Sequence, residues 1–240
     1  MTERDQDNVS RLPRRRLVER LPSRRVVVSA LALVLVTLAA WIVYFSTWLA
    51  ADEISVSGAD TISADDVRAV AAVSMGTPLA RLDIERIQQR VAEIPEVREV
   101  DVRRKWPHTV AIAIIEREPV AALRREGIWW SVDKDGELFA GGPQRPERWP
   151  PLSVPTTAGE EALQETARVA AALPADLRRT TVRLSAESMD SITVHLKGAR
   201  TVVWGSAADS ERKVEVLRAL LKQATSATYD VSVPEQPTAG

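Results

Sequence analysis

The chain has 240 residues, 45% of them hydrophobic, and 33 acidic against 32 basic side chains, so it can bury one or two modest cores and carries no global bias toward nucleic acid. It contains no cysteine, which excludes disulfides and thiolate chemistry and leaves the compartment open. Only five of its basic residues are lysine and Asn8 is its only asparagine, a usage that suggests a GC-rich genome and says nothing of activity.

Residues 1–25 are polar, arginine-rich and without apolar periodicity, which predicts a disordered tail. Beside a membrane, its basic cluster fixes topology and touches anionic lipid rather than binding nucleic acid. Residues 26–50, VVVSALALVLVTLAAWIVYFSTWLA, contain no charge and no proline. As a helix they would extend about 37 Å, enough to cross a hydrocarbon core of about 30 Å with some tilt. Trp41, Tyr44 and Trp48 sit toward the C-terminal end, where amphipathic rings favour the headgroup region. Arginines crowd the N-terminal side, up to Arg24 and Arg25. Asp52 and Glu53 follow the span, and no basic residue comes before Arg68. The positive-inside rule therefore keeps the N-terminus cytoplasmic and puts everything after residue 51 outside. Two readings compete: a buried helix in a soluble protein, and a signal peptide cleaved near Ala50 and Ala51. Signal peptides have apolar regions of about 7–15 residues, so this longer one favours a retained anchor.

Beyond the span, Ile54-Ser55-Val56-Ser57 alternates like a strand and ends at Gly58. Ser63, three residues before Asp66, opens a helix with Val67, Val70 and Ala71 on one face, stopped by Gly76-Thr77-Pro78. A second helix starts near Asp83, spaces Ile84, Ile87, Val91 and Ile94 by three and four, and ends before Pro95. Val100, Val102, Arg104 and Trp106 then share one strand face, with Glu99, Asp101, Arg103 and Lys105 on the other, solvated one. Trp106-Pro107-His108-Thr109 reads as a hairpin turn whose indole caps the end of the core. The run Val110–Ile115 reads as a central strand covered on both sides. The resulting order is strand, helix, helix, strand, strand. His108 has no second ligand nearby in sequence and reads as a surface turn residue.

These letters carry a resemblance. V-x-G after the anchor, G-T-P-L-x-x-L-D between the helices, I-P-x-V, the R-x-W-P hairpin and the E-R-x-P-V-A exit, in this order, resemble the POTRA domain of the FtsQ/DivIB family of bacterial cell-division proteins. The implied fold class is α+β: tail 1–25, transmembrane helix 26–50, POTRA domain 52–118 (β-α-α-β-β), a mainly antiparallel β-domain with helices over 119–234, and a short tail 235–240.

Glu116-Arg117-Glu118-Pro119 closes the first outer domain without a flexible linker, so the second is expected to sit rigidly on it. Glu116 and Glu118 are expected to pair with neighbouring arginines. Residues 120–123, 128–132 and 138–140 read as strands, the last two joined by Asp133-Lys134-Asp135-Gly136. Trp129 and Trp130 point to opposite faces, one of them into the core. Residues 141–155 read as a loop ending in a short strand rather than a polyproline recognition motif. Leu163, Thr166, Ala170 and Leu173 mark a helix closed by Pro174. Strands follow at 181–184, 192–196, with His195 facing solvent, and 201–204. A last helix carries Val214, Leu217, Leu220 and Leu221 behind a cap at Ser206 or Asp209, and Thr228–Pro234 ends the domain as a strand. V-x-W-G before a lysine-bearing helix, then Y-D-V-S-V-P, is similar to the end of the β-domain in the same family.

No G-x-S-x-G, G-x-x-x-x-G-K or H-E-x-x-H occurs, and no catalytic, cofactor-binding or metal-ligating residue is assigned. The resemblance implies a bitopic scaffold of the divisome, at the division septum, that links early and late division proteins. Its implied partners are bitopic proteins of the FtsB/DivIC and FtsL type and the lipid bilayer, with no nucleic acid or small-molecule substrate. Partner contact is expected at Tyr229, Val231 and Val233. Better-known family members continue into a further strand that docks the partner. Here Pro234, Pro237 and only seven residues after Val233 leave little room for one, so an adjacent edge is expected to substitute. The rival readings are a membrane-anchored cell-wall enzyme and a POTRA-bearing transport or assembly factor.

Overall fold

The computed structural model describes residues 24–223 and 226–240. Apart from Arg24 and Arg25, the expected tail lies outside the described residues. Helix α1 runs Arg24–Phe45 and buries none of its side chains in the protein. It is the one described helix long and apolar enough to cross a membrane, and at about 33 Å it matches a hydrocarbon core. Thr37, the one polar side chain at its middle, donates to Leu33 O at 2.8 Å, which pairs its own hydroxyl within the helix.

The helix ends five residues before the apolar run does. Ser46 accepts from Trp48 N and starts a 3-10 turn over Thr47–Leu49. Ala50 then bridges to Pro78, and Ala51 is buried, exchanging backbone hydrogen bonds with Thr77 and Gly76. Hydropathy alone cannot separate lipid-facing from core-facing alanine, which is why residues 46–50 read as span.

The first domain follows the expected order: β1 (Glu53–Ser57), α2 (Ala64–Ala71), α3 (Ile84–Ala92), β2 (Val97–Lys105) and β3 (Thr109–Glu116). Its sheet has the order β1-β3-β2, with β1 parallel and β2 antiparallel to β3. Both helices cover one face, where Val67, Ala71, Ile87 and Val91 meet Val102, Val110, Ile112 and Ile114. β3 is central but not covered on both sides. Ala113 and Ile115 lie on an open face, Ile115 at 55% exposure, because two short helices can cover only one side of a three-stranded sheet. Val70 is exposed and off the expected helix face, and Ser63 accepts from Asp65 N.

The second domain is a nine-stranded sheet. Its strands are β4 (Ala121–Arg125), β5 (Ile128–Val132), β6 (Leu138–Gly142), β7 (Pro151–Ser153), β8 (Thr181–Ala186), β9 (Ile192–Leu196), β10 (Arg200–Gly205), β11 (Thr228–Asp230) and β12 (Thr238–Ala239). The spatial order is β12-β11-β10-β9-β8-β7-β4-β5-β6, mostly antiparallel. β7 pairs parallel with both β4 and β8, and β10 parallel with β11. Two of these joints need crossovers, and helices supply them: α4 (Gly159–Ala172) with α5 (Ala175–Thr180) between β7 and β8, and α6 (Ser210–Gln223) between β10 and β11. α4 and α6 touch, and the core lies between them and the sheet around Leu163, Leu184, Val194, Trp204 and Leu217. Helix α5 was not expected. Trp129 and Trp130 are both half-buried, so neither is the core residue the alternation implied.

Candidate interaction surface

The C-terminal corner gathers the residues expected to touch a partner, and it places them unequally. β11 lies between β10 and β12, so its backbone is paired on both sides. Tyr229 and Val231 are fully buried. The tyrosine hydroxyl accepts from Ser226 N at 3.0 Å, and Val231 N donates to Val203 O at 3.0 Å. Val233 alone offers its side chain outward, at 53% exposure. Parallel pairing with β10 turns the Tyr229 and Val231 parity toward the helices, a placement that a local pattern cannot reveal.

There is also room for a further strand. After Val233 the chain turns, Gln236 N donates to Val233 O at 3.0 Å, and Thr238–Ala239 return antiparallel to β11. Thr228 and Gly240 exchange two backbone hydrogen bonds of 3.0 Å. Ala239 faces Tyr229 in the next, non-bonded register position, so its N–H and C=O point away from the sheet. That outward pair is the kind of edge to which another strand adds.

The W-G-S segment and the buried lysine behind it hold this corner. Trp204 is fully buried and its indole donates to Ser210 Oγ at 3.2 Å. Gly205 has φ 76°, and a Cβ there would come within 3.0 Å of Ser232 Cβ, so the β10–α6 turn packs directly on the chain leaving β11. Lys213, 2% exposed, donates its Nζ to Ser206 O at 3.0 Å. Burial pushes its pKa down, and Asp209 offsets part of that. Asp230 accepts from Ser232 N at 2.9 Å and closes the turn toward Val233.

The domain junction is built as firmly. Arg117 donates to Pro95 O at 3.0 Å in the first domain and to buried Asp133 at 2.6 Å in the second. Asp133 also accepts from the backbone N–H of Asp135 and Glu137, and Arg98 pairs with Asp135 at 3.0 Å. Among the described residues Glu116 pairs with no arginine. Its carboxylate accepts from the backbone N–H groups of Asp60, Thr61 and Ile62 at 2.8–3.1 Å, closing the loop into α2. Burial acts to raise its pKa, but the hydrogen bonds, Ile62 first, hold it below the usual carboxylate range.

Two other groupings are legible only in three dimensions. His195 is half-buried and meets Ser185 Oγ at 2.9 Å across β9 and β8. Its pKa is lowered by burial and then by the charge of Arg183, a cation where an imidazole base needs an orienting carboxylate. In the 141–155 loop, Trp149 is flanked by Arg148 and Arg178 at 5.5 and 5.3 Å, beside a groove of about 680 Å³ lined also by Arg145, Arg179 and Lys197. Among the described residues, no three His, Asp or Glu side chains gather as a metal site.

Family comparison divides the chain where the fold does. The POTRA domain, FtsQ-type, matches residues 49–117, starting beside the buried Ala50, and the Cell division protein FtsQ/DivIB, C-terminal, family matches 121–233. The cell division protein FtsQ of Streptomyces bingchenggensis is 36% identical over 236 residues, 93% of this chain and 88% of that protein. FtsQ of Streptomyces coelicolor is 35% identical, covering 89% and 87%. FtsQ of Mycolicibacterium smegmatis is 36% identical over 88% of this chain and 63% of that protein.

Proposed function

The chain belongs to the FtsQ/DivIB family of bacterial cell-division proteins, and from that premise we propose that it is a single-pass membrane scaffold of the divisome. The arginine-rich N-terminus lies in the cytoplasm, α1 crosses the bilayer, and both domains stand outside it at the septum. The chain acts without chemistry of its own, linking early and late division proteins by being bound. Bitopic partners of the FtsB/DivIC and FtsL type add a strand to the β12 edge, next to Val233. The supporting observation is the outward-directed N–H and C=O of Ala239 on a paired, well-anchored β11. An unpaired backbone edge gives affinity through main-chain hydrogen bonds and specificity through the side chains beside it. Among the described residues three other sheet edges exist, at β1, β2 and β6. β2 is the longest, but Arg98, Glu99, Asp101, Arg103 and Lys105 crowd it with charge, a common guard against pairing.

Depletion in the native host tests this reading. Filaments or unseparated chains, restored by the full chain and not by one lacking residues 235–240, are expected. Normal septa with impaired export would replace it with a transport role, and wall hydrolysis by the purified chain with an enzymatic one.

A further inference from the structure

We infer that the end of the first domain from which α1 emerges rests in the headgroup layer of the bilayer, with Trp106 at the β2–β3 turn as its aromatic anchor. This rests on reading α1 as a membrane span, and it adds a second, peripheral membrane contact to the same chain.

Chain geometry limits how far this end can stand from the bilayer. Five peptide steps separate Phe45, the last residue of α1, from Ala50, which is already bridged to Pro78. Fully extended they would reach about 18 Å, and the 3-10 turn over Thr47–Leu49 shortens that. The end of α1 also touches the turn Leu79–Arg81. Residues 50–53 are clasped between two loops. On one side Ala51 exchanges hydrogen bonds with Thr77 and Gly76. On the other, His108 O accepts from Asp52 N and Glu53 N, and Glu53 stands opposite Thr109. Both loops therefore flank the exit point of the span.

These two loops and the connecting turn carry an apolar excess. Trp48 is 90% exposed, Met75 52% and Trp106 49%. Among the described residues of the first domain the exposed large apolar groups are Val70, Met75, Trp106 and Ile115, and Met75 and Trp106 lie at this end beside Trp48 of the connecting turn. Trp106 is the informative one. The core below it is closed by Val102, Val110 and Leu79 without it, so the half-exposed ring is not committed to the protein's interior. At the headgroup level, an apolar ring with one N–H donor is at its most favourable. Exposed Lys105 beside it has a stem long enough to lie along the interface. Asp52 and Glu53 on the same end offset that charge, so ring insertion rather than anion attraction drives the contact, and zwitterionic lipid suffices.

The cysteine-free sequence permits a direct test on the full chain reconstituted in phosphatidylcholine bilayers. Single cysteines are placed by His108→Cys, exposed and two residues from Trp106; by Thr37→Cys, in mid-span; and by Ser57→Cys, at the far end of β1. Each is labelled with a fluorophore and exposed to nitroxide lipids. The expected result is quenching of position 37 by acyl-chain nitroxide and several-fold stronger headgroup-nitroxide quenching at position 108 than at 57. Adding Trp106→Ala should remove most of that difference. Quenching at 37 with positions 108 and 57 alike, as when a partner protein rather than lipid covers this end, would overturn the inference alone. So would quenching at 108 that ignores Trp106→Ala. No quenching at 37 would overturn the membrane-span reading and this inference with it.

Discussion

The two domains solve the same problem, fixing loops over one sheet face, with different materials. In the first, arginines tie loops to strands and helices. Arg104 donates to Leu79 O and Leu82 O at 2.7 and 2.6 Å, Arg90 donates to Ala71 O, and Arg68 to Ile54 O. In the second, a full helical layer covers the sheet and buries Trp204, Leu184, Leu217 and Tyr229. A small domain with two short helices has little apolar area to bury, so directed hydrogen bonds to carbonyls carry more of its organisation. The larger domain can rely on volume. One consequence is that tryptophan means different things in the two: a core residue at 204, a surface residue at 106.

That contrast can be broken or sharpened by substitution. The largest effect is expected for Trp204→Ala, which empties a fully buried site and leaves Ser210 Oγ without the indole; a loss of about 3–5 kcal/mol should appear in denaturant melts of the full chain. Arg104→Ala should cost about 1–2 kcal/mol by freeing two carbonyls, and Arg104→Lys should recover little, because an ammonium cannot span both acceptors. Equal stability of Arg104→Ala and the parent would show that the arginine ties are decorative. Glu116 gives a smaller, pH-dependent effect. Its depressed pKa means that its stabilisation is full above the ordinary carboxylate range and is lost as pH falls through the folded value. Glu116→Gln should therefore flatten part of the acid loss of stability, whereas exposed Glu118→Gln should not. Smallest of all, Trp106→Ala should cost under about 1 kcal/mol, since half the ring is already solvated; a loss as large as that at Trp204 would put it back in the core.

What the sequence made legible follows from range. The β-α-α-β-β order and the hairpin at Pro107 rest on two- and 3.6-residue periods and on turn residues, which are local. The first three strands of the second domain and α4 were readable for the same reason. The insertion of β7 between β4 and β8, the parallel seat of β11 on β10 and the return of β12 were not, because each depends on partners far along the chain. Those long-range pairings also bury the side chains of Tyr229 and Val231, which the local pattern offers to a partner. Trp106 differs: two-residue alternation extends the buried face of β2 to its end, but the core ends near Val102 and Arg104 makes the contact with the Leu79–Leu82 loop. Arg104 shares the parity of Val100 and Val102, and that parity is the signal for its structural role.

The most direct measurement concerns the β12 edge. Ala239→Pro removes the outward N–H, and Ala239→Val keeps it; neither touches the β11–β12 hydrogen bonds made by Thr228 and Gly240. A proline at 231 would instead break the internal bond from Val231 N to Val203 O and so would not isolate the edge. Captured from membranes with the bitopic division proteins proposed as its partners, the full chain carrying Ala239→Pro should lose most of the partner while Ala239→Val retains it, with both variants melting like the parent. Equal retention by both would contradict strand addition at this edge.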